Sequence, residues 1–148
     1  MDIKEIKPNE EEVNELIGLS RLWVEEGISY GIIEDNPEDI LDKRVFVVKD
    51  DNRIVAYALV HETKSEIKNI SSIIKDDEDI IEIDSIYVLK EYRNKGIGKA
   101  LFKYIEDNID IDNIVLATST KDYKRVFHFY IDELGMDFHS ALLFKKPK

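Results

Sequence analysis

Apolar positions along the chain follow two periods, one helical and one alternating, and the switches between them mark the elements. Ile3 and Ile6 predict a short edge strand ended by Pro8. Asn9 with Glu12 three residues on forms a capping-box pattern. Behind it Val13, Leu16, Ile17, Ser20 and Val24 fall at helical spacing, Leu19 and Trp23 widen the face, and Gly27 stops the helix. Ile28 to Asn36 lacks a period and contains Gly31, so it is expected to be a loop, and Pro37 opens a short second helix to about Lys43. Arg44–Lys49, the turn Asp50-Asp51-Asn52 and a strand from Ile54 to about His61 predict a hairpin. Thr63 to Asp79 is polar and loosely patterned. Ile67, Ile70 and Ile74 allow one or two helical turns there, and Asp76 to Asp79 is expected to be solvated loop, so the stretch reads as a surface excursion rather than a lid.

Ile81–Leu89 is expected to be the central strand. Its apolar phase changes inside the element: Ile81 and Ile83 share one face, and Ile86 and Val88 take the other parity, as a bulge near Ser85 to Val88 would produce. A helix then runs from Ile97 to about Asp107, its face marked by Ile97, Leu101, Tyr104, Ile105 and Asn108. Ile114–Thr118 reads as a buried strand. From Asp122, the stripe Tyr123, Val126, Phe127, Tyr130, Ile131 and Leu134 predicts a helix closed by Gly135. Met136 to Lys146 is expected to form the final strand, kinked near Ser140. Strands and helices alternate in the second half, which favours parallel pairing there, after an antiparallel hairpin in the first. The sum is one α/β domain, a mixed sheet with helices on both sides.

Composition narrows the function classes. The 148 residues suffice for one domain with a core, and 43% hydrophobic with 36% charged content is globular. A net charge of -11 argues against nucleic acid as partner and suits a cationic one, such as an amine. With no cysteine there is no disulfide framework, no thiolate metal site and no cysteine acyl-enzyme. The three histidines, His61, His128 and His139, are scattered without metal-ligand spacing. No apolar run is long enough to cross a membrane and the start lacks a signal-peptide pattern, so the expected location is the cytoplasm.

Against that acidic background, Val88 to Leu101 stands out as V-L-K-E-Y-R-N-K-G-I-G-K-A-L. A strand enters it, a helix leaves it, and the turn between holds Arg93, Lys95, Gly96, Gly98 and Lys99. Glycines let a ligand approach the backbone, and the first N–H groups of a helix point at negative charge, so this is an anion site. Arg93-Asn94-Lys95-Gly96-Ile97-Gly98 resembles the R/Q-x-x-G-x-G/A acetyl-CoA signature of the GNAT superfamily of N-acetyltransferases. The strand text E-I-D-S-I-Y-V-L-K-E-Y-R and the later F-H-F-Y-I-D-E-L-G-M are similar to that family's as well.

The resemblance implies a GNAT-like fold over 1–148, with about six to seven strands and a central strand splayed by its bulge to admit pantetheine. The main chain of Ile86, Tyr87 and Val88 would pair with the pantetheine arm, and the amides of Asn94, Lys95, Gly96, Ile97, Gly98 and Lys99 would cradle the pyrophosphate. Arg93 would order the loop or touch phosphate. The acetyl group of acetyl-CoA would pass directly to a primary amine of a small molecule or peptide. That chemistry needs a base for the amine proton, polarisation of the carbonyl (Val88 N–H, by resemblance) and a donor to the departing sulfur. Tyr130 matches the family's donor, although Gly135 lies five residues on where four is commoner, so a one-residue shift would put Ile131 in its place; Tyr123 is the spare hydroxyl. Glu82, eleven residues before Arg93, is spaced like the catalytic glutamate of histone-type members, and Asp84 shares its face. Asp122 stands where many relatives carry asparagine, and no role is carried onto it. The loop Gly27–Asn36 would border the acceptor, with the excursion after His61; Tyr30, Glu34 and Asp35 there could hold a cation, or the acids could be exposed and serve only solvation. A homodimer is common in the family. The competing reading is a non-catalytic acyl-CoA-binding module on the same fold.

Overall fold

The computed structural model describes residues 1–30, 34–64, 70, 73–74 and 78–147. Its framework is a five-stranded sheet in the order β1-β2-β3-β4-β5. β1 (Asp2–Ile6), β2 (Arg44–Asp50), β3 (Arg53–Lys64) and β4 (Asp79–Val88) pair antiparallel in sequence order, and β5 (Asn113–Leu116) joins β4 in parallel. β2 and β3 turn tightly because Asp51 and Asn52 both accept positive φ, 52° and 66°, as a two-residue hairpin requires. β3 is longer than its apolar core predicts, since Glu62, Thr63 and Lys64 continue the ladder against β4.

Alternation, broken once at Val55 where β3 carries an extra residue against β2, sends β3 side chains to two faces, and each face has its own core. Val55, Ala56, Ala58 and Val60 pack with Ile81 and Ile83 against α3 (Ile97–Asn108). Tyr57 and Leu59 pack with Tyr87 and Leu89 against α1 (Glu10–Glu25) and α2 (Pro37–Leu41). Burying a large apolar side chain is worth about 1.5–3 kcal/mol, so these two layers are what hold the sheet between its helices. α1 starts on the predicted capping box: Glu12 N–H donates to Asn9 Oδ1 at 2.8 Å and Asn9 N–H to Glu12 Oε1 at 3.1 Å. Lys49 also reaches Glu12 at 2.9 Å and holds its carboxyl below the usual carboxylate range. Among the described residues no helix is long and apolar enough to cross a membrane.

Four expectations need correction. The inserted residue of β4 is Asp84, since Leu59 faces Ser85 and Val60 faces Ile83; the bulge thus precedes Ser85, at the phase change rather than after it. In α3 the buried face is Ile97, Leu101, Phe102 and Ile105, while Asn108 is exposed and donates its side-chain amide to Tyr104 O at 2.9 Å. The last helix is α4 (Tyr123–Phe127) continued by a π-helix, His128–Glu133, in which Leu134 N–H reaches back to Phe129 O at 3.0 Å. The segment 137–147 forms no strand, so the sheet has five strands instead of six or seven. Leu142, Leu143 and Phe144 are consecutive, so a strand there would need cover on both faces; Tyr30 meets Phe144 edge-on at 5.7 Å, and Leu142 stays 94% exposed. The helical turns expected at Ile67 and the loop acids Asp76 and Asp77 lie outside the described residues.

Candidate active site

β5 sets the site by ending early. It pairs with β4 only from Ile80 to Ile83, and the Asp84 bulge then turns the rest of β4 away, so that among the described residues no strand pairs with Ser85 to Val88 on that side. Leu89 N–H donates to Val55 O at 2.9 Å, so by the ladder's alternation the main chain of Tyr87 faces β3 and that of Ile86 and Val88 faces the opening. The opening is a cleft of about 560 Å³ whose lining includes Ile86, Tyr87, Val88, the glycine turn from Arg93 to Lys99 except Lys95, Ser29, Phe129 and Tyr130.

The glycine turn is shaped as the sequence predicts. Asn94 and Gly96 both take positive φ, 62° and 80°, and α3 begins at Ile97, so its first N–H groups open onto the cleft with no acceptor of their own helix. Lys99 lines the same mouth and Lys95 sits 5.5 Å above the Tyr92 ring. A Cβ on Gly98 would stand 3.2 Å from the Phe129 ring, which shows how closely that wall is built. Ser29 Oγ, which also lines the cleft, is buried and has no hydrogen-bond partner among the described residues. A long ligand with an anionic end and amide groups along its arm fits these features: a phosphate on the α3 amides, an arm along Ile86 and Val88, and an orphan hydroxyl beside it.

Arg93 does not face the cleft mouth as a free cation. Its Nε donates to Val88 O at 2.8 Å, and its two terminal nitrogens grip Glu26 at 2.5 and 2.7 Å. Tyr87 donates its hydroxyl to the same carboxylate at 2.7 Å, and Trp23 stacks on the Tyr87 ring at 5.3 Å. Burial pushes the Glu26 carboxyl up, but the hydrogen bonds from Arg93 and Tyr87 outweigh it and hold it below its ordinary value. Of the two roles expected of Arg93, ordering the loop is the one its contacts serve: it ties the glycine turn to the end of α1.

At the bulge a smaller cavity, about 50 Å³, adjoins the cleft. It is bounded by Asp84, Ser85, Leu116 and Ala117, and shares Trp23, Ile86, Thr118 and Tyr130 with its larger neighbour. Tyr130 therefore stands where the two spaces meet. Burial pushes its phenol well above the usual tyrosine range, so it is protonated at neutral pH. The π-helix explains the five-residue interval to Gly135: its wider turn absorbs one residue, and Tyr130 rather than Ile131 lines the cavity. Tyr123 is exposed at the surface. Asp122 pairs with Arg125 at 3.7 Å.

The carboxylates of β4 gather around one histidine. His61 Nδ1 lies 2.5 Å from Asp84 Oδ2, and Nε2 lies 3.9 Å from Glu82 Oε2. Lys43 approaches Asp84 to 4.0 Å. Asp84 lines the small cavity; Glu82 stands one step behind it, across the imidazole. Of the loop acids, Asp35 is exposed and pairs with Arg21 at 3.3 Å, as a solvated residue does. Glu34 departs from the expectation of an exposed acid: it is 7% exposed and surrounded by hydroxyls. No local pattern in the sequence announces that, beyond the apolar pair Ile32-Ile33 just before it.

The comparisons agree with this geometry. The sequence matches the acetyltransferase (GNAT) family over residues 10–136. No curated protein matches it by sequence. Among solved structures, a tetramutant of the BH1408 protein from Bacillus halodurans superposes with a TM-score of 0.72 at 19% identity, over 99% of this chain and 100% of that one. Aminoglycoside N-acetyltransferase AAC(6')-Iy in complex with CoA gives 0.66 at 17%, over 99% of both chains. The ribosomal-protein-alanine N-acetyltransferase from Brucella melitensis biovar Abortus 2308 gives 0.67 at 16%, over 99% of this chain and 100% of that one. At these identities the superpositions speak for the fold, and the family match extends from the start of α1 to Met136, through both the glycine turn and Tyr130: this chain belongs to the acetyltransferase (GNAT) family.

Proposed function

We propose that the protein is an N-acetyltransferase that moves an acetyl group from acetyl-CoA directly to a primary amine, of a small molecule or a peptide. The observation that carries the proposal is the parting of β4 from β5 after Ile83, which joins an anion cradle, a strand edge and a half-buried phenol in one continuous space. Acetyl-CoA is the co-substrate and supplies an acyl carbon already activated as a thioester.

The amides of Asn94 to Lys99 hold the pyrophosphate, with Lys95 and Lys99 adding charge. Ile86 and Val88 pair with the pantetheine arm, while Tyr87 contributes its ring and its bond to Glu26 rather than its main chain. The Val88 N–H faces the cleft and polarises the acyl oxygen. Tyr130, whose phenol desolvation holds above its ordinary range, gives its proton to the departing sulfur. The amine enters the small cavity and loses its proton to Asp84, which His61 Nδ1 holds at 2.5 Å; Glu82, the other candidate base, lies off the cavity, 3.9 Å from His61 Nε2.

The test is direct because the chain has no cysteine, so thiol released from acetyl-CoA is read without background. A panel of primary amines should include one that releases CoA thiol in proportion to acetylated product. Tyr130→Phe should then lower kcat by about 100-fold with CoA affinity unchanged in calorimetry. Tight CoA binding with no turnover on any amine would replace this reading with the acyl-CoA-binding module.

A further inference from the structure

Glu34 is the least expected group near the site. It leaves the α1–α2 loop and enters the core, where its carboxylate accepts three hydroxyl hydrogen bonds. Ser20 Oγ and Tyr57 Oη donate to Oε2, each at 3.0 Å, and Ser85 Oγ donates to Oε1 at 2.6 Å. Its own N–H returns to Ser20 Oγ at 2.8 Å. Among the described residues no cation lies within salt-bridge distance of it. A buried carboxylate held by neutral donors keeps its negative field uncancelled, and that field falls on whatever adjoins it.

What adjoins it is the small cavity, through Ser85. A hydroxyl has one proton, and Ser85 spends it on Glu34; its oxygen is then left as an acceptor on the cavity wall. The carboxylate on the wall itself, Asp84, is already engaged by His61 Nδ1 at 2.5 Å and approached by Lys43 at 4.0 Å. The cavity has room for several waters or for a terminal ammonium group and its first carbons, with any longer chain lying in the cleft past Trp23 and Tyr130.

From this we infer that Glu34 is a positioning and specificity-determining residue: through Ser85 it makes the cavity select an acceptor that arrives as a cationic alkylammonium, over a neutral group of the same shape. The inference rests on the acetyltransferase reading for its meaning, but its test does not need turnover. Trp23 is the only tryptophan and lines the cavity, so its fluorescence reports occupancy.

The experiment titrates the chain with n-butylammonium and with 1-butanol, a neutral partner of like shape. The wild type should bind the ammonium at least about tenfold more tightly than the alcohol. Glu34→Gln keeps the volume, removes the charge and can donate to Ser85; it should abolish the preference while leaving alcohol binding within about twofold. Ser85→Ala should reduce the preference several-fold, and it decides the matter if Glu34→Gln proves unfolded in circular dichroism. A wild type without preference, a preference retained in both variants, or equal weakening of both probes would overturn the inference. CoA calorimetry on the same samples separates the failures. CoA binding without ammonium preference sinks this inference alone, whereas no CoA binding by folded wild type sinks the acetyltransferase reading, whatever the amine result.

Discussion

The two halves of the site are built by different means. The cofactor half is backbone: positive φ at Asn94 and Gly96, the opening amides of α3, and the unpaired edge of β4. The half proposed for the acceptor is side chains brought from far apart: Glu34 from the loop after α1, Tyr57 and His61 from β3, Asp84 and Ser85 from β4, Tyr130 from the π-helix. A backbone cradle needs only that glycine stand where a side chain would intrude or be strained. A side-chain cavity needs each partner to arrive at the right distance, and it changes character with any one of them. The first half suits a co-substrate common to many enzymes; the second leaves room for an acceptor particular to this one.

That contrast can be broken hardest at the glycines. Gly96→Val with Gly98→Val should weaken acetyl-CoA binding by at least about 100-fold, near 2.7 kcal/mol. One substitution forces a β-branched residue into the left-handed region and the other drives a side chain into Phe129. Calorimetry reads the affinity, and ammonium binding followed by Trp23 fluorescence should survive. Loss of both together would show that the halves are one unit.

Arg93 is the seam. With its Glu26 bond it joins the glycine turn to the end of α1, where the acceptor loop begins, and the two side chains are 17% and 18% exposed. Arg93→Ala leaves Glu26 half-buried beside Tyr87 without its cation, and should cost about 2–3 kcal/mol in denaturant unfolding while loosening both sites. Unchanged stability would mean that the turn holds itself.

The smallest expected effect is a pH dependence from the same pair. The Glu26 carboxyl titrates lower in the folded chain than in the unfolded one because Arg93 and Tyr87 outweigh the effect of burial. Its stabilisation is therefore complete above the unfolded value, about 4.3, and is lost as pH falls through the lower folded value. Between pH 5 and 3 the wild type should lose more stability than Glu26→Gln, measured by urea unfolding at each pH. Parallel curves would show that the pair is already opposed by its surroundings.

The sequence by itself determined the local devices, because each depends on neighbours a few residues apart. The Asn9 cap, the Asp51-Asn52 turn, the phase change in β4, the glycine turn and the extra residue before Gly135 are all readable along the chain. Where the reading went wrong, tertiary cover was the missing quantity. Apolar Leu142 to Phe144 looked like a strand but found no layer to enter, and Glu34 looked like a solvated acid but was drawn into the core. Its bond to Ser85 spans 51 residues, and that of Arg93 to Glu26 spans 67. No local period encodes such contacts. They exist because folding the sheet against α1 leaves polar groups in a dry space, where each hydroxyl must find an acceptor and the carboxylate must find donors. The glycine turn and its helix start were thus legible in fourteen consecutive residues, while the make-up of the cavity at the bulge was decided only when distant strands and a loop met.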